Sequence, residues 1–346
     1  MKADNNSNII KSRDPDGGKS SQLICGFWKR LLAFIIDGII LGLLGLAIGT
    51  LFFDFFAEIG GLGLLIGFAI ALLYFGVQNS SVCYGQTIGK RILKIKVVDN
   101  KAKNISLQRS FARFMILGPP YFLNGVLLPP NLMNNYFLSL LLGLIIFFGL
   151  AGIIYLYIFN RNTRQSLHDL VVGTYVINSP ITKKLSFHPK ALWRGHLVVL
   201  STIFVVVLIT ITIVVPKLSQ TEFFKELLIV QNKIMSSGLV HSVKVSTGKS
   251  FRMKAGTNRD SKGEITHVAI NAVLKKKPSD YVMPINKIAK IVLDNYPPIK
   301  GKDTFVVTVS YGYDIGIARV WKSQMQSHSP KEWRDLLSRQ FEKSKL

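Results

Sequence analysis

Apolar positions in this chain come in long unbroken runs up to about residue 215 and in short alternating runs after it. A hydrocarbon core about 30 Å thick is crossed by about 20 apolar residues in a helix. Four segments reach that length, at 31–53, 59–77, 137–159 and 197–215. A fifth, 111–128, is apolar but carries Gly118, Pro119 and Pro120. Proline removes a backbone donor and clashes with the preceding turn, so this span is expected to be kinked, broken or re-entrant.

Beyond residue 216 the pattern is that of a soluble domain. Phe223, Leu227 and Val230 recur at helical spacing, predicting a helix over 222–234. Strands are predicted at 240–245, 251–255 and 266–274, a helix at 284–293, and two strands at 304–310 and 315–321 around a turn at Gly312, Tyr313 and Asp314. Ser329, Pro330 and Glu332 have the spacing of a capping box that opens a last helix. The expected architecture is an α-helical multi-span membrane domain of about five transmembrane helices, one of them proline-broken, followed by a small α+β soluble domain. Along the chain this gives a disordered cytoplasmic N-terminus (1–22), a membrane domain (23–178), a linker with the last transmembrane helix (179–216) and an extracytoplasmic domain (217–346).

Composition agrees with lipid as the solvent for the first part. Of 346 residues, 49% are hydrophobic and 18% charged, and the mean hydropathy is +0.32. The apolar run after the polar head is too long for a cleaved signal peptide, so the first span is expected to remain as an anchor. A formal net charge of +24 raises the question of nucleic acid. No motif that reads RNA or DNA accompanies it, and anionic lipid headgroups beside cytoplasmic loops account for the excess.

The cations also orient the chain. Lys11, Arg13, Lys19, Lys29 and Arg30 precede the first span, whereas the next link offers only Asp54 and Glu58. The stretch from Lys90 to Arg109 is basic, the segment 129–136 is uncharged, and 161–194 is basic again. Five crossings place every basic link inside, with the N-terminus cytoplasmic and the C-terminus outside. Cys25 and Cys83 both sit at cytoplasmic edges of spans, so no disulfide framework is expected.

Asp37 is the principal candidate for chemistry, since it lies about two turns into an apolar span. A charge at that depth costs about 2.5–3.5 kcal/mol on insertion scales and so faces a partner or a wet cavity. At about 100° per residue, Arg30 and Asp37 fall about 20° apart around the helix. Arg30 through a water, Arg113 or His168 could serve Asp37, and a purely structural pin to Arg113 or to the segment at Gly89 and Lys90 is the competing reading. Gly38, Gly42, Gly45 and Gly49 form a smooth stripe on the first span, and Gly63, Gly67 and Ala71 a second one on the next, so the two spans are expected to pack against each other there. In the soluble domain His241, His267 and His328 lack ligand spacing, and no hydrolase motif is present, so no metal, cofactor or enzymatic activity is expected. Tyr311, Tyr313 and Trp321 read as hairpin packing or as an aromatic binding face.

Three ordered motifs carry a family resemblance. Gly26-Phe27-Trp28-Lys29-Arg30 leading to Asp37-Gly38, then Gly85-Gln86-Thr87-Ile88-Gly89-Lys90-Arg91, then Arg164-Gln165-Ser166-Leu167-His168-Asp169-Leu170 with Gly173-Thr174, resemble the RDD family, named for one arginine and two aspartates. The resemblance covers residues 23–178 and makes Asp169 the second aspartate. It implies a bacterial inner-membrane protein, with cation/proton exchange proposed for some members and an assembly or adaptor role for others. The candidate polar site is thus Arg30, Asp37, Arg113, His168 and Asp169, beside the cytoplasmic motif Gly85, Gln86, Thr87, Gly89 and Lys90, with Asp169 expected to cap or to pair with the basic segment at the surface. Two functions follow as expectations: a membrane anchor or scaffold whose exported domain binds a partner protein, or a small transporter using Asp37, which with so few spans would call for a homo-oligomer.

Overall fold

The computed structural model describes residues 23–126, 135–179, 191–252 and 263–343. The expected N-terminal tail at 1–22, the turn at 129–134, the link at 180–190 and the end of the strand expected at 251–255 lie outside the described residues.

Among the described residues four helices are long and apolar enough to cross a membrane: Phe27–Leu51, Phe53–Gln78, Tyr136–Phe159 and Gly195–Ser219. The first is α1. The second comprises α2 (Phe53–Ile59), a tight turn at Gly60–Leu62 and α3 (Gly63–Gln78). After it come α4 (Ile88–Ile92), β1 (Ile95–Val98) and α5 (Leu107–Phe122). The helix Tyr136–Phe159 is α6, with one wider π turn at Leu144–Phe148. It leads to α7 (Leu167–Val172) and β2 (Tyr175–Asn178), and Gly195–Ser219 is α8.

The fifth expected crossing is α5, and it differs from the sequence reading. It starts earlier, where Ser106 Oγ accepts from Arg109 N–H at 3.3 Å, and it keeps Pro119 and Pro120 inside its last turn. Its 16 residues rise only about 24 Å, short of a full hydrocarbon core, and the part of the segment at 127–128 lies outside the described residues. With Arg109, Ser110 and Arg113 along it, α5 is amphipathic rather than uniformly apolar.

The chain divides into two compact units, the first comprising Met1–Asp37, Leu72–Gly118 and Gly149–Ile203. Here β1 and β2 pair antiparallel, with Ile95 opposite Asn178 and Val98 opposite Tyr175. Cys25 N–H donates to Val176 O at 2.9 Å, extending this ribbon toward the start of α1. Cys25, Ala33, Ile95, Val97, Ile105 and Val176 form its apolar core, and burial pushes the Cys25 thiol pKa up.

The second unit comprises Gly38–Ala71, Pro119–Phe148 and Phe204–Leu346. Its sheet runs β3 (Val240–Arg252), β4 (Gly263–Leu274), β5 (Thr304–Asp314) and β6 (Arg319–His328) in that order. The pairs are antiparallel, parallel and antiparallel. Helices α9 (Glu222–Ser236), α10 (Val282–Asn295) and α11 (Pro330–Lys343) complete the domain. Core residues come from three sources: Val230 and Ile234 on α9, Ile285, Ile288 and Val292 on α10, and the inward face of the sheet, Val268, Ile270, Phe305 and Val307. Trp333 of α11 is fully buried and donates through Nε1 to Phe305 O at 2.8 Å. The predicted capping box is present, with Glu332 Oε2 accepting from Ser329 N–H at 2.8 Å.

Two local expectations are corrected in this unit. The strands placed at 240–245 and 251–255 belong to one continuous strand as far as it is described, because Gly248 and Ser250 pair across to His267 and Ile265 without a break. The hairpin turn lies at 315–318 rather than 312–314. Asp314 pairs with Arg319, Ile315 N–H donates to Ala318 O at 3.0 Å, and Asp314 Oδ1 accepts from Gly316 N–H at 2.8 Å. Gly312 remains within the strand opposite Trp321, where a Cβ would fall 2.0 Å from Val320 O.

The glycine stripes also serve a different purpose from the expected helix pairing. A Cβ on Gly45 would lie 2.9 Å from Ala318, one on Gly49 2.0 Å from Tyr313 Oη, and one on Gly67 1.6 Å from Ile315 O. The turn of the β5–β6 hairpin occupies the space those glycines leave. Ile315 and Tyr313 are buried with Phe56 there, and Tyr121 Oη donates to Gly316 O at 3.3 Å.

Candidate functional site

All ten residues singled out from the sequence fall in the first unit, where they form two polar centres. The first is built on Asp169, the third residue of α7. Ser166 N–H donates to Asp169 Oδ2 at 3.3 Å in a capping box, so the short helix is pinned at its start by this carboxylate. The same side chain accepts from Arg30 Nη2 at 2.5 Å, from Arg113 Nε at 2.9 Å and from Thr174 Oγ1 at 3.0 Å. Asp169 is fully buried, and Arg30 and Arg113 are buried beside it. Burial alone would raise the pKa of its carboxyl, but Arg113 and Arg30 outweigh that and hold it well below the usual carboxylate range.

Other groups lock the same centre. Arg30 also donates through Nη1 to Arg164 O, and its guanidinium lies 5.2 Å from the centre of the Tyr157 ring. His168 Nε2 lies 3.0 Å from Arg113 Nη2 and 3.6 Å from Asp169 Oδ2. A guanidinium can only donate, so Nε2 is the acceptor and the imidazole is neutral. Burial, aided by Arg113, brings its pKa down to about 3. Arg109 closes the far end of α7 by donating to Val172 O at 2.6 Å and to Gly173 O at 2.8 Å.

The second centre is built on Asp37, 1% exposed. Among the described residues Arg30, Arg113 and His168 make no hydrogen bond to it, whereas the Gly89 segment named in the competing reading does. Its carboxylate instead accepts from Tyr74 Oη at 2.7 Å, Thr87 Oγ1 at 2.6 Å and Gly89 N–H at 2.8 Å. Thr87 is at once the N-cap of α4, accepting from Lys90 N–H at 3.3 Å. Gly89 is required by proximity: a Cβ there would fall 2.3 Å from Ala33 O, so only glycine lets α4 lie against α1. Gly85, at φ +74, and Gln86, which donates to Ile95 O at 2.9 Å, fold the preceding turn onto β1. Lys90 turns inward and donates to Asn79 Oδ1 at 2.5 Å. Burial, with Arg113 adding to it, draws the Lys90 ammonium down to about 7 against the opposing pull of Asp37 and Asp169.

Between the centres lies a cavity of about 240 Å³ whose polar wall includes Asp37, Lys90, Arg113 and His168. The geometry therefore separates the two aspartates. Asp169 pairs with two buried guanidinium groups, while among the described residues Asp37 accepts hydrogen bonds from neutral donors only. Sequence reasoning missed Tyr74 and Asn79. Each left a signal, a hydroxyl or an amide within or at the end of an apolar helix, where such a group needs a partner.

Residues 24–173 match the model of the RDD family. Within those bounds fall Arg30, Asp37 and Asp169, so this part of the chain is similar to that family; α8 and the soluble domain lie outside the match. The chain is also similar to "Uncharacterized protein YxaI" of Bacillus subtilis (strain 168), at 25% identity over 173 residues, which is 44% of this chain and 95% of that protein. No solved structure matches. The chain is thus a multi-pass membrane protein with a region similar to the RDD family and an additional α+β domain.

Proposed function

We propose that this protein is a membrane anchor and scaffold that holds its C-terminal α+β domain in a fixed seat on its own membrane helices, where that domain binds a partner protein. The observation that carries this reading is the β5–β6 turn lodged among Gly45, Gly49, Gly63 and Gly67. A domain that merely trails from a tether has no need of so close a fit, and presenting a surface in a set orientation does. The surface presented is β6. It is the last strand of the sheet, most of its residues are exposed, and Trp321 and Met325 are 39% and 63% exposed. An unpaired strand edge is a template for an added strand. The distribution of Lys and Arg supports a cytoplasmic N-terminus, and the seat of the hairpin turn at Gly45, Gly49 and Gly63, toward the other end of α1, supports a place for the domain on the far side. Photo-crosslinkers at Trp321 and Met325 in intact cells are expected to trap one discrete protein; the absence of any adduct at both positions defeats the proposal.

A second reading, transport of cations or protons, draws on the cavity that brings Asp37 and Lys90 to one wall. In proteoliposomes Asp37→Asn then abolishes exchange, and exchange at the wild-type rate sinks that mechanism.

A further inference from the structure

At the start of α1 an open cleft of about 610 Å³ is lined by Lys29, Arg30, Arg161 and Arg164, with the rings of Trp28 and Tyr157 among its walls and no carboxylate among the described residues. Four cations converging with no acid on the described lining raise the local positive potential and attract an anion. Arg30 has its own, since its guanidinium is committed to Asp169. Lys29, Arg161 and Arg164 are exposed and have no carboxylate within ion-pair distance among the described residues. Two features fix the cleft as a built site. The Arg164 backbone adopts φ +53, a left-handed conformation unfavourable for a residue with a Cβ. Its guanidinium also packs so closely over Gly26 that a Cβ there would sit 3.0 Å from Nη1.

The location says which anion fits. The cleft lies where α1 begins and α6 ends, both helices long and apolar enough to cross a membrane. Trp28 is 77% exposed and Ile158 49% exposed beside it, the arrangement of an aromatic ring at headgroup level above an apolar helix wall. We propose that this cleft binds the phosphate headgroup of an anionic phospholipid, with Lys29, Arg161 and Arg164 on the phosphate and the acyl chains running along the apolar faces of α1 and α6. Guanidinium groups suit this because two parallel N–H donors match two phosphate oxygens.

The test is native mass spectrometry of the full-length protein in detergent, offered equimolar phosphatidylglycerol and phosphatidylcholine. Wild type is expected to retain phosphatidylglycerol preferentially. Lys29→Ala, Arg161→Ala and Arg164→Ala are each expected to weaken that preference about fivefold, and the triple variant to abolish it. Arg161→Lys is expected to retain most of it. Should the triple variant fail to fold, the exposed single variants decide. Equal retention of the two lipids by wild type, or an unchanged preference in the single variants, overturns the proposal. Competition with millimolar glycerol 3-phosphate separates the sources: a lipid site is expected to resist it, and full displacement assigns the cleft to a soluble phosphate and overturns the lipid assignment.

Discussion

Arg113 and Asp169 meet through two nitrogens on one oxygen: Nε and Nη2 of the guanidinium both reach Oδ1, at 2.9 and 2.8 Å. Arg30 takes the other oxygen. One carboxylate from α7 thereby ties together α1 and α5, and its removal leaves two guanidinium groups buried without an anion.

Asp169→Asn is accordingly expected to destabilise the protein by about 3–5 kcal/mol. Thermal unfolding of the detergent-solubilised protein reads this directly. A loss below about 1 kcal/mol would show that water reaches the site and screens it.

His168 sets an acid limit. Burial keeps its pKa near 3 in the folded state, against 6.5 when exposed, so the unfolded chain binds the extra proton between those values. Stability from this group is complete above about pH 6.5 and falls as pH drops toward 3. Lys90, Arg113 and Arg30 oppose a charge on the ring, whereas Asp169 favours it. His168→Gln is expected to flatten the melting temperature across that window; an unaltered acid slope counts against the assignment.

Lys90 gives the opposite limb. Its folded pKa of about 7 lies below its ordinary value of 10.5, so the unfolded chain holds more protons from pH 7 to about 10 and stability rises with pH there. Lys90→Met removes that rise. Melting curves between pH 7 and 10 distinguish the two proteins.

Asp37 holds α4 in place through Thr87 and Gly89. Asp37→Leu strands three donors, each at a cost of about 1–3 kcal/mol, whereas Asp37→Asn keeps one acceptor oxygen. Limited trypsin cleavage after Lys90 and Arg91 is expected to be fastest in the Leu variant, intermediate in Asn and slowest in wild type. Identical digestion rates would mean that α4 is secured elsewhere.

Gly67→Ala places a Cβ against Ile315 O. It is expected to unseat the hairpin turn and speed hydrogen exchange at the Ile315 amide, even though alanine favours a helix by about 1 kcal/mol. Gly38→Ala, with open space around it, serves as the neutral control.

Much of the membrane part was legible, for identifiable reasons. Apolar runs of helical length mark the spans because lipid leaves the backbone no alternative partner. The motif around Arg164 to Thr174 is local, so the spacing of Ser166 and Asp169 carries the capping box, but Asp169 was expected at the surface on the basic Gly89 segment and is instead buried on Arg30 and Arg113. For Asp37 the Gly89 segment stood as one of several alternatives, while Tyr74 and Thr87 were not among them. Thr87 and Gly89 lie 50 and 52 residues away, and helical periodicity of α1 does not choose between later segments. The glycine stripes were read as contact surfaces, but a stripe records only that something comes close. Gly312 drew the hairpin turn three residues too early, because a glycine that avoids a clash inside a strand leaves the same sequence mark as one that makes a turn.

The lodging of Ile315 between α1 and α3 also bears on how the protein comes to be made. Those helices leave the ribosome long before the loop that fills them, so they must reside for a time in lipid with an open furrow. Until β5 and β6 arrive, other transmembrane segments rich in small residues can settle in that furrow. Nascent chains halted before residue 304 are therefore the forms that stray pairing and membrane proteolysis should claim first.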